Sequence, residues 1–384
     1  MKRNNILFIC FRQAILNDFN SRLLCRLINE GYYIDYLNFE EYLNDNYRRQ
    51  FSPKKVRFIL INKSMSKFLI FRKLYNVFLS IFFIILFIIS NRSNYKYIFA
   101  IDYQFNILLF LLEFIFLLER KRVYILQEMY QYAQYPTKYS KFLLKLDSYS
   151  QNFAIAVINR NQLREDFVNK LNPFIYKKHF TVMNINDNFK YIRNNDKIEN
   201  EIKIIYAGGI RKDFFNFLIT MCEYLQKGNL SFNVYVYGFD NIEIDKWSNL
   251  IDKRFSHLKK YLSLNPKVDN DEILSLYTKM NLGIIYYPKD KFATINEKLA
   301  APCKVFEYIN TCTPFVSFGS LYCDYLIDKY QIGIKVNTFK DMADLPGKMK
   351  SNYIKFVDNI RKLQMENIFS FDKEFDKVRK FLKL

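Results

Sequence analysis

The sequence predicts an α/β protein made of two Rossmann-like domains that face one another across a cleft. Strands and helices alternate regularly in the carboxy-terminal half, and they alternate again, less clearly, in the amino-terminal half. A chain of 384 residues also exceeds the size at which one hydrophobic core usually stops growing. Half of the residues are hydrophobic, so the composition is that of a folded globular protein with large cores.

The alternation of strands and helices decides where a ligand is expected. It indicates parallel sheets with right-handed crossovers, and ligands of such sheets bind beyond the carboxyl ends of the strands. The predicted strands of the carboxy-terminal half are 203–209, 233–238, 282–287, 314–318 and 332–336, and its predicted helices are 213–226, 271–279 and 302–312. The predicted strands of the amino-terminal half are 5–10, 33–37, 97–101, 123–127, 154–158 and 180–183.

The domain boundary is predicted from a polar stretch at 187–201, which has the composition of an interdomain linker. We therefore expect one Rossmann-like domain over 1–190 and a second over 191–370. The remaining residues, 371–384, predict a carboxy-terminal helix that packs across the domain junction.

The cysteine and histidine content excludes several classes of site. Six scattered cysteines without a CxxC pair predict free thiols in a reducing compartment. The two histidines, His179 and His257, lie far apart in the chain, so we expect no metal site. The first apolar run, Ile6 to Cys10, is too short for the core of a signal peptide and predicts a buried strand, which favours the cytoplasm.

Positive charge is concentrated in one part of the amino-terminal half. The net charge is +20, and between Asp45 and Asp102 there are eleven basic residues and no acidic one. This interval contains the apolar run 77–89, which is too short to span a bilayer because a spanning helix needs about 20 residues. Basic residues beside an apolar surface favour an anionic membrane surface. The alternative is a core helix next to a solvated basic loop, and a second apolar run at 105–122 predicts a buried helix.

Nucleic acid is not expected as a partner, because the aromatic residues of this interval lie in continuous apolar runs. A stacking groove for bases needs aromatics interleaved with arginine and lysine.

Glycines point to a phosphate site in the carboxy-terminal half, where eight of the nine glycines lie. Gly208 and Gly209 follow a predicted strand and precede a predicted helix, with Arg211 and Lys212 beside them. Glycines let a backbone approach a phosphate closely, and cations at a helix amino terminus suit a diphosphate. The alternative is an ordinary strand–turn–helix with exposed cations.

A second candidate site lies on the predicted helix 302–312, which begins with Pro302. Projection at 100° per residue places Val305, Tyr308, Ile309 and Cys312 on one face and Lys304, Glu307 and Thr311 on the other. The helix follows a loop that leaves the carboxyl end of a strand, so its charged face is expected on the ligand side of the sheet. The alternative is a surface ion pair between residues i and i+3.

These motifs together resemble those of a known family. The order strand-GG-I-R-K-helix, YG, D-E-I-L-S-L-Y, LGIIYYP and P-C-K-V-F-E-Y-I-x-x-x-x-P-F-V is similar to the donor domain of GT-B glycosyltransferases. It looks most like the large retaining family 4-like group, whose members carry P-x-K-x-x-E-Y. The resemblance covers roughly residues 200–320, and residues 302–316 are its most specific part.

The resemblance implies a role for each matching residue. Glu307 would accept hydrogen bonds from the ribose, Gly208, Gly209, Arg211 and Lys212 would hold the diphosphate, and Lys304 would support the same pocket. Val268 and Asp269 lie where the family contacts the base. These cations would stabilise the leaving nucleotide, so neither a metal nor a cofactor is expected.

The sequence departs from the family pattern in four ways, one of which is Thr311-Cys312-Thr313 in place of the usual small residue and glycine before the proline. Relatives have a glutamate eight residues before the ribose glutamate, but here that position is Leu299, with Asn296 and Glu297 as the nearest polar candidates to contact the donor sugar. Arg211 and Lys212 are adjacent, whereas the family separates its arginine and lysine. Glu128 follows the predicted strand 123–127 where relatives often place a histidine, so it either acts on the acceptor or caps a loop.

The resemblance implies a cytoplasmic glycosyltransferase, metal-independent and retaining, at the inner face of the membrane. It would move a sugar from a nucleotide-sugar to a saccharide or lipid-linked acceptor bound by the amino-terminal domain, in surface polysaccharide synthesis. Two alternatives stay open: a sugar-nucleotide epimerase of the same fold, and a non-catalytic nucleotide-sugar-binding relative. The donor sugar, the linkage, the choice between retention and inversion and the oligomeric state are also open.

Overall fold

A computed structural model gives the fold. It describes residues 4–10, 18–38, 55–60, 82–126, 138–171, 178–183, 185, 198, 201–209, 212–228, 231–288 and 298–384. The chain divides into two compact units. Unit 1 is Met1–Asn184 together with Asp372–Leu384, and unit 2 is Ile185–Phe371. The predicted linker 187–201 lies outside the described residues apart from positions 198 and 201.

Unit 1 contains a seven-stranded sheet in the order β3-β2-β1-β4-β5-β6-β7, with every neighbouring pair parallel. Ile6 of the central strand is paired with Ile34 on one side and Tyr97 on the other. The strands are β1 (Asn5–Cys10), β2 (Tyr33–Asn38), β3 (Val56–Leu60), β4 (Tyr95–Ile101), β5 (Arg122–Leu126), β6 (Ala156–Asn159) and β7 (His179–Thr181).

Six strands of unit 1 agree with the sequence prediction to within one or two residues at each end. The prediction missed β3, a five-residue strand at the edge of the sheet. Val56 is buried whereas the Arg57 side chain is 67% exposed and pairs with Asp35. So short an alternation inside a basic segment gives little apolar signal.

The helices of unit 1 are α1 (Asp18–Asn29), α2 (82–91), α3 (Tyr103–Ile115), α4 (Lys138–Gln151) and α5 (Gln162–Leu171). The predicted buried helix over 105–122 is therefore wrong at its carboxyl end, because α3 ends at Ile115 and residues 114–117 are exposed. None of the helices in the described part of the chain has the length and apolar character needed to cross a bilayer.

A buried ionic cluster joins α3 to the sheet of unit 1. The Glu113 carboxylate accepts hydrogen bonds from Arg92 at 3.0 Å and from Arg122 at 3.2 Å. Arg122 is fully buried, and this burial lowers the pKa of its guanidinium. The same guanidinium also donates to the Asn106 side chain and to the Ser150 carbonyl at 3.0 Å. A carboxylate lies in the last turn of this apolar helix because it pairs with two buried arginines.

Unit 2 contains a six-stranded parallel sheet in the order β10-β9-β8-β11-β12-β13. Its strands are β8 (Ile202–Ala207), β9 (Phe232–Phe239), β10 (Leu262–Pro266), β11 (Leu282–Tyr286), β12 (Phe315–Phe318) and β13 (Gly333–Lys335). Its helices are α6 (Lys212–Lys227), α7 (Asn241–Arg254), α8 (Asn270–Thr278), α9 (Cys303–Asn310), α10 (Leu321–Tyr330) and α11 (Leu345–Met365).

The strand order of unit 2 reverses between β8 and β11. A reversal of this kind opens a crevice at the carboxyl ends of the strands, where ligands of α/β sheets bind. The sequence prediction missed strand β10 and the helix before it, α7. Strand β10 is the edge strand next to β9 in this half of the sheet.

The carboxy-terminal helix, α12 (Phe371–Leu382), follows unit 2 in sequence but belongs mostly to unit 1. Lys96 donates to the Lys383 carbonyl at 2.7 Å, and Tyr97 donates to the Leu382 carbonyl. Arg26 forms an ion pair with Asp376 at 3.4 Å. These contacts attach the end of the chain to β4 and α1.

We expect Glu113→Ala to lower the free energy of unfolding by about 3–5 kcal/mol, because Arg92 and Arg122 would keep their burial and lose their carboxylate. Urea denaturation followed by circular dichroism measures this change. The matched control is Glu119→Ala, since the Glu119 side chain is 77% exposed and its pair with Lys121 is worth less than about 1 kcal/mol. A loss at position 113 no larger than that of the control would contradict the assignment.

Candidate functional site

A cleft of about 700 Å³ opens at the carboxyl edge of the sheet of unit 2. Residues at or just after the carboxyl ends of four strands line it together with residues of α8 and α9. The lining residues are Ala207, Gly208, Gly209, Tyr237, Gly238, Lys267, Val268, Asp269, Ile273, Tyr277, Tyr287, Pro302, Cys303, Lys304 and Glu307.

Two glycines allow the ends of β8 and β9 to meet at the base of the cleft. Gly208 has φ +145° and Gly238 has φ +131°, and both values disfavour any residue with a side chain. A Cβ at Gly238 would lie 2.3 Å from the Gly208 carbonyl oxygen, and the Gly208 amide donates to the Tyr237 carbonyl at 2.9 Å. The close approach of these two strand ends therefore requires glycine at both positions.

Lys304 places a positive charge at the bottom of the cleft. A Cβ at Gly208 would lie only 2.4 Å from the Lys304 Nζ, so the ammonium group occupies the space that the glycine leaves open. The Nζ also lies 4.2 Å from the centre of the Tyr206 ring, in a cation–π contact. Burial lowers the pKa of Lys304, and the nearby Glu307 carboxylate opposes that effect.

Tyr206 is itself held in place by two contacts. Its ring stacks on Phe214 with the ring centres 3.8 Å apart, and its hydroxyl donates to the Gly209 carbonyl at 3.0 Å. The tyrosine therefore connects the glycine turn after β8 to the lysine that faces it.

Glu307 places a carboxylate at the same cleft, one helical turn after Lys304. The buried Tyr277 hydroxyl of α8 donates to Glu307 Oε2 at 3.3 Å. Burial raises the pKa of Tyr277 well above its ordinary value, and the neighbouring Tyr308 and Glu307 add to this effect. The tyrosine therefore stays protonated and orients the carboxylate.

The opposite face of α9 anchors the two charged residues. Val305, Tyr308, Ile309 and Cys312 are buried, as the projection predicts. The Tyr308 hydroxyl lies 3.4 Å from the Ile205 carbonyl and 3.3 Å from the Ile284 carbonyl, on strands β8 and β11. These contacts fix the helix against the strand ends that form the cleft.

Thr311 does not belong to the charged face on which the projection placed it. It is fully buried at the end of α9, and its hydroxyl donates to the Glu307 carbonyl at 2.9 Å. The helix ends at Asn310, so the 100° spacing no longer applies to the next residue.

Val268 and Asp269 lie in the loop between β10 and α8. The Asp269 carboxylate accepts a hydrogen bond from the Glu272 amide at 2.8 Å and caps α8. The Asp269 carboxylate therefore acts as the cap of α8. Contacts from this loop to a ligand would come from Val268 and the backbone.

The structure brings six predicted site residues together in this cleft: Gly208, Gly209, Val268, Asp269, Lys304 and Glu307. Lys212 is exposed at the first position of α6 and is not among the described lining residues. Leu299 is buried and also does not line the cleft. Four predicted residues, Glu128, Arg211, Asn296 and Glu297, lie outside the described part of the chain.

Sequence reasoning missed the aromatic and additional basic residues of the cleft. Tyr206 lies two residues before Gly208, and Tyr277 is the last letter of the D-E-I-L-S-L-Y motif. Tyr237 lies near the carboxyl end of β9, and Lys267 directly follows β10, both at the ligand edge. Their positions at strand ends were a usable signal, because carboxyl ends of parallel strands meet at one edge.

Comparison with known proteins gives the fold. No protein-family model matches the chain, and no curated protein matches it in sequence. Solved structures do match. HepE from Anabaena, in complex with UDP, covers 99% of both chains with a TM-score of 0.68 at 12% identity. A glycosyltransferase from Rickettsia africae covers 100% of both chains, with a TM-score of 0.68 at 13% identity.

The chain has the GT-B fold. Another similar structure is WaaG, a glycosyltransferase involved in lipopolysaccharide biosynthesis, with a TM-score of 0.60 at 11% identity over 97% of this chain and 99% of that one. The predicted fold class, two parallel α/β domains of the GT-B type, is confirmed by these matches.

We expect Gly208→Ala to destabilise the GT-B chain by about 1–3 kcal/mol, because alanine is strained at this φ and its Cβ would displace Lys304. Guanidinium denaturation of the whole protein measures the change, and the fluorescence of Trp247 reports the unfolding of unit 2. Gly209→Ala is the control, since a Cβ there has no heavy atom within 4 Å. Equal losses in the two variants would show that the Gly208–Lys304 contact is unimportant.

Proposed function

We propose that the protein is a glycosyltransferase that moves a sugar from a nucleotide-sugar donor to a saccharide or lipid-linked saccharide acceptor. The observation that carries this proposal is that Lys304 and Glu307 line the same cleft at the reversal of the sheet of unit 2, one helical turn apart on α9. The similarity in fold to HepE in complex with UDP, and to WaaG in lipopolysaccharide biosynthesis, supports it.

The chemistry of the cleft fits the two ends of a nucleoside diphosphate. The Lys304 ammonium and the open backbone of Gly209 suit the phosphates, because a cation beside exposed main chain stabilises an anion. The Glu307 carboxylate accepts hydrogen bonds, which suits a ribose with two hydroxyl donors. We assign Val268, which also lines the cleft, to an apolar contact with the base.

Transfer would break the bond between the sugar's anomeric carbon and the phosphate oxygen. That oxygen keeps the electron pair, and a new bond forms between the anomeric carbon and an acceptor hydroxyl oxygen, whose proton leaves. Lys304 would stabilise the charge on the departing diphosphate, and we assign Arg211 and Lys212 to the same task. We assign Glu128, which follows β5, to the acceptor proton, and Asn296 and Glu297 to the donor sugar.

We further propose that the reaction is retaining and proceeds without a metal, since lysine and arginine supply the positive charge that a metal would supply otherwise. The acceptor would bind to unit 1. The enzyme would act in surface polysaccharide synthesis, peripherally at the inner face of the membrane, where its +20 net charge suits anionic lipids.

A panel of UDP-, GDP-, CMP- and dTDP-sugars tests the donor site by thermal shift. We expect one nucleotide class to stabilise the wild type and Glu307→Ala to lose at least about tenfold in affinity for it, since a lost hydrogen bond to a charged group is worth 1.5–3 kcal/mol. Asp271→Asn, on the first turn of α8 but outside the cleft, is the control. No stabilisation by any nucleotide would overturn the donor site.

Product analysis separates transfer from the alternatives. Conversion of the sugar nucleotide without an acceptor would show an epimerase, and binding without turnover would show a non-catalytic relative. Retention is tested by NMR, which compares the anomeric configuration of the product with that of the donor.

Affinity for the nucleoside diphosphate is expected to fall as the pH rises above neutrality, at a lower pH than for an ordinary lysine. Burial lowers the pKa of Lys304, so the free site loses its proton early, and a bound diphosphate favours the protonated form. Titration calorimetry across the alkaline range measures this fall. Lys304→Arg should remove it, because a guanidinium stays charged. An unchanged profile in that variant would exclude Lys304 as the titrating group.

A further inference from the structure

Exposed apolar side chains are concentrated in one region of unit 1. Of the seventeen large hydrophobic side chains that are exposed in the described residues, eleven lie between positions 82 and 149. They come from α2, α3 and α4: Phe82, Phe83, Leu86, Ile89, Leu111, Phe114, Ile115, Phe116, Leu117, Phe142 and Tyr149. We call these eleven residues the apolar helix face.

The three helices lie on the same side of the sheet. They follow β3, β4 and β5, and each connection advances across the sheet in the same direction, so right-handed crossovers place all three helices on one face. The Arg92–Glu113 pair joins the end of α2 to α3, and the Phe110 ring contacts the Tyr149 ring of α4 with centres 5.7 Å apart. The exposed residues therefore belong to one continuous layer.

Helix α2 is apolar on both sides. Ile84 and Ile88 are fully buried, whereas Phe82 and Phe83 are about half exposed on the other side. Residues 82–89 include no polar side chain. Surface helices of soluble proteins normally carry polar residues on the solvent side, so this outer row indicates a partner.

The carboxyl end of α3 forms an apolar tip. Phe114 is 69% exposed and Leu117 is 91% exposed. Leu117 has φ +48°, a conformation that ends many helices and is usually taken by glycine. A leucine in this position contributes little to the core and projects from the surface.

Charge identifies the partner. Among the described residues near the tip and on α4, the exposed cations are Arg120, Lys138 and Lys145, and the exposed acid is Glu119. The chain from position 46 to 101 has eleven basic residues and no acid. A second copy of this chain would carry the same excess of positive charge and would be repelled. An anionic lipid surface satisfies both the apolar residues and the basic ones.

We propose that the apolar helix face docks unit 1 onto an anionic bilayer, with residues 114–117 inserted among the lipid chains and α2 in the plane of the interface. The proposal extends the proposed function, because a lipid-linked acceptor is presented at such a surface.

Flotation with vesicles tests docking. We expect the wild type to bind vesicles of phosphatidylcholine with phosphatidylglycerol more strongly than pure phosphatidylcholine, and added salt to weaken that binding. The triple variant Phe114→Ser, Phe116→Ser, Leu117→Ser should lower the partition constant by about tenfold or more, since three exposed apolar side chains lose their burial. The control triple, Ile242→Ser, Ile354→Ser, Met365→Ser, removes three exposed apolar residues of unit 2 and should change little.

A tryptophan probe tests insertion. The chain has one tryptophan, Trp247, which stacks on Phe215 inside unit 2 and gives a constant background. Leu117→Trp should be quenched by brominated lipid chains, whereas Ile354→Trp should not. Equal quenching of the two, or no loss of flotation in the first triple variant, overturns the proposal.

Two further outcomes are decisive. If the first triple variant dissociates an oligomer in sedimentation velocity while vesicle binding stays intact, the face is a protein interface and the proposal is wrong. Glu307→Ala is expected to bind vesicles like the wild type, so failure of the docking surface and failure of the donor site are separate results.

Discussion

The contact between Lys304 and the glycine turn after β8 determines the architecture of the cleft. The ammonium group lies against the Tyr206 ring and in the space that Gly208 leaves free. A lysine held there is partly desolvated, and an anionic ligand that enters the cleft compensates for the lost hydration. The cation–π contact is worth about 0.5–2 kcal/mol, too little to replace that hydration completely. The cleft therefore favours an anionic ligand.

The surrounding structure serves to keep this charge and its neighbour Glu307 in place. Tyr308 anchors α9 to two strands, and Tyr277 orients the carboxylate from α8. Tyr277 is held in turn by Thr313, whose hydroxyl donates to its carbonyl at 2.9 Å. Rigid placement of charges in this way would reduce the reorganisation needed in the proposed transfer, when charge develops on the departing phosphate.

Unit 1 differs from unit 2 in where its charged and apolar residues lie. Its ionic cluster at Glu113 is enclosed, and its apolar residues are partly outside. Arg122 and Arg92 bring positive charge into the core, where Glu113 forms ion pairs with both. The cluster fixes the last turn of α3 through Glu113, while residues 114–117 beside it stay exposed.

Much of this arrangement could be predicted from local patterns in the sequence. The apolar strands and the two faces of α9 follow from residue spacing, and the parallel sheets follow from alternation. The sequence pattern did not predict strand β3, because five residues with one exposed arginine carry little apolar signal. The packing of Tyr206 under Lys304 depends on a contact between distant segments, which spacing along the chain does not reveal. The Asp269 cap is local, because it joins residues three apart, and it could have been predicted from the sequence. The burial of Thr311 reflects where α9 ends, which periodicity alone does not fix.

The most direct test of the central claim is a crystal structure of the protein with a nucleoside diphosphate at saturating concentration. The diphosphate is expected within ion-pairing distance of Lys304 Nζ and over the Gly208–Gly209 turn, with the ribose hydroxyls on Glu307. A nucleotide bound away from these residues, or a cleft that stays empty while the nucleotide is present in excess, would contradict the account.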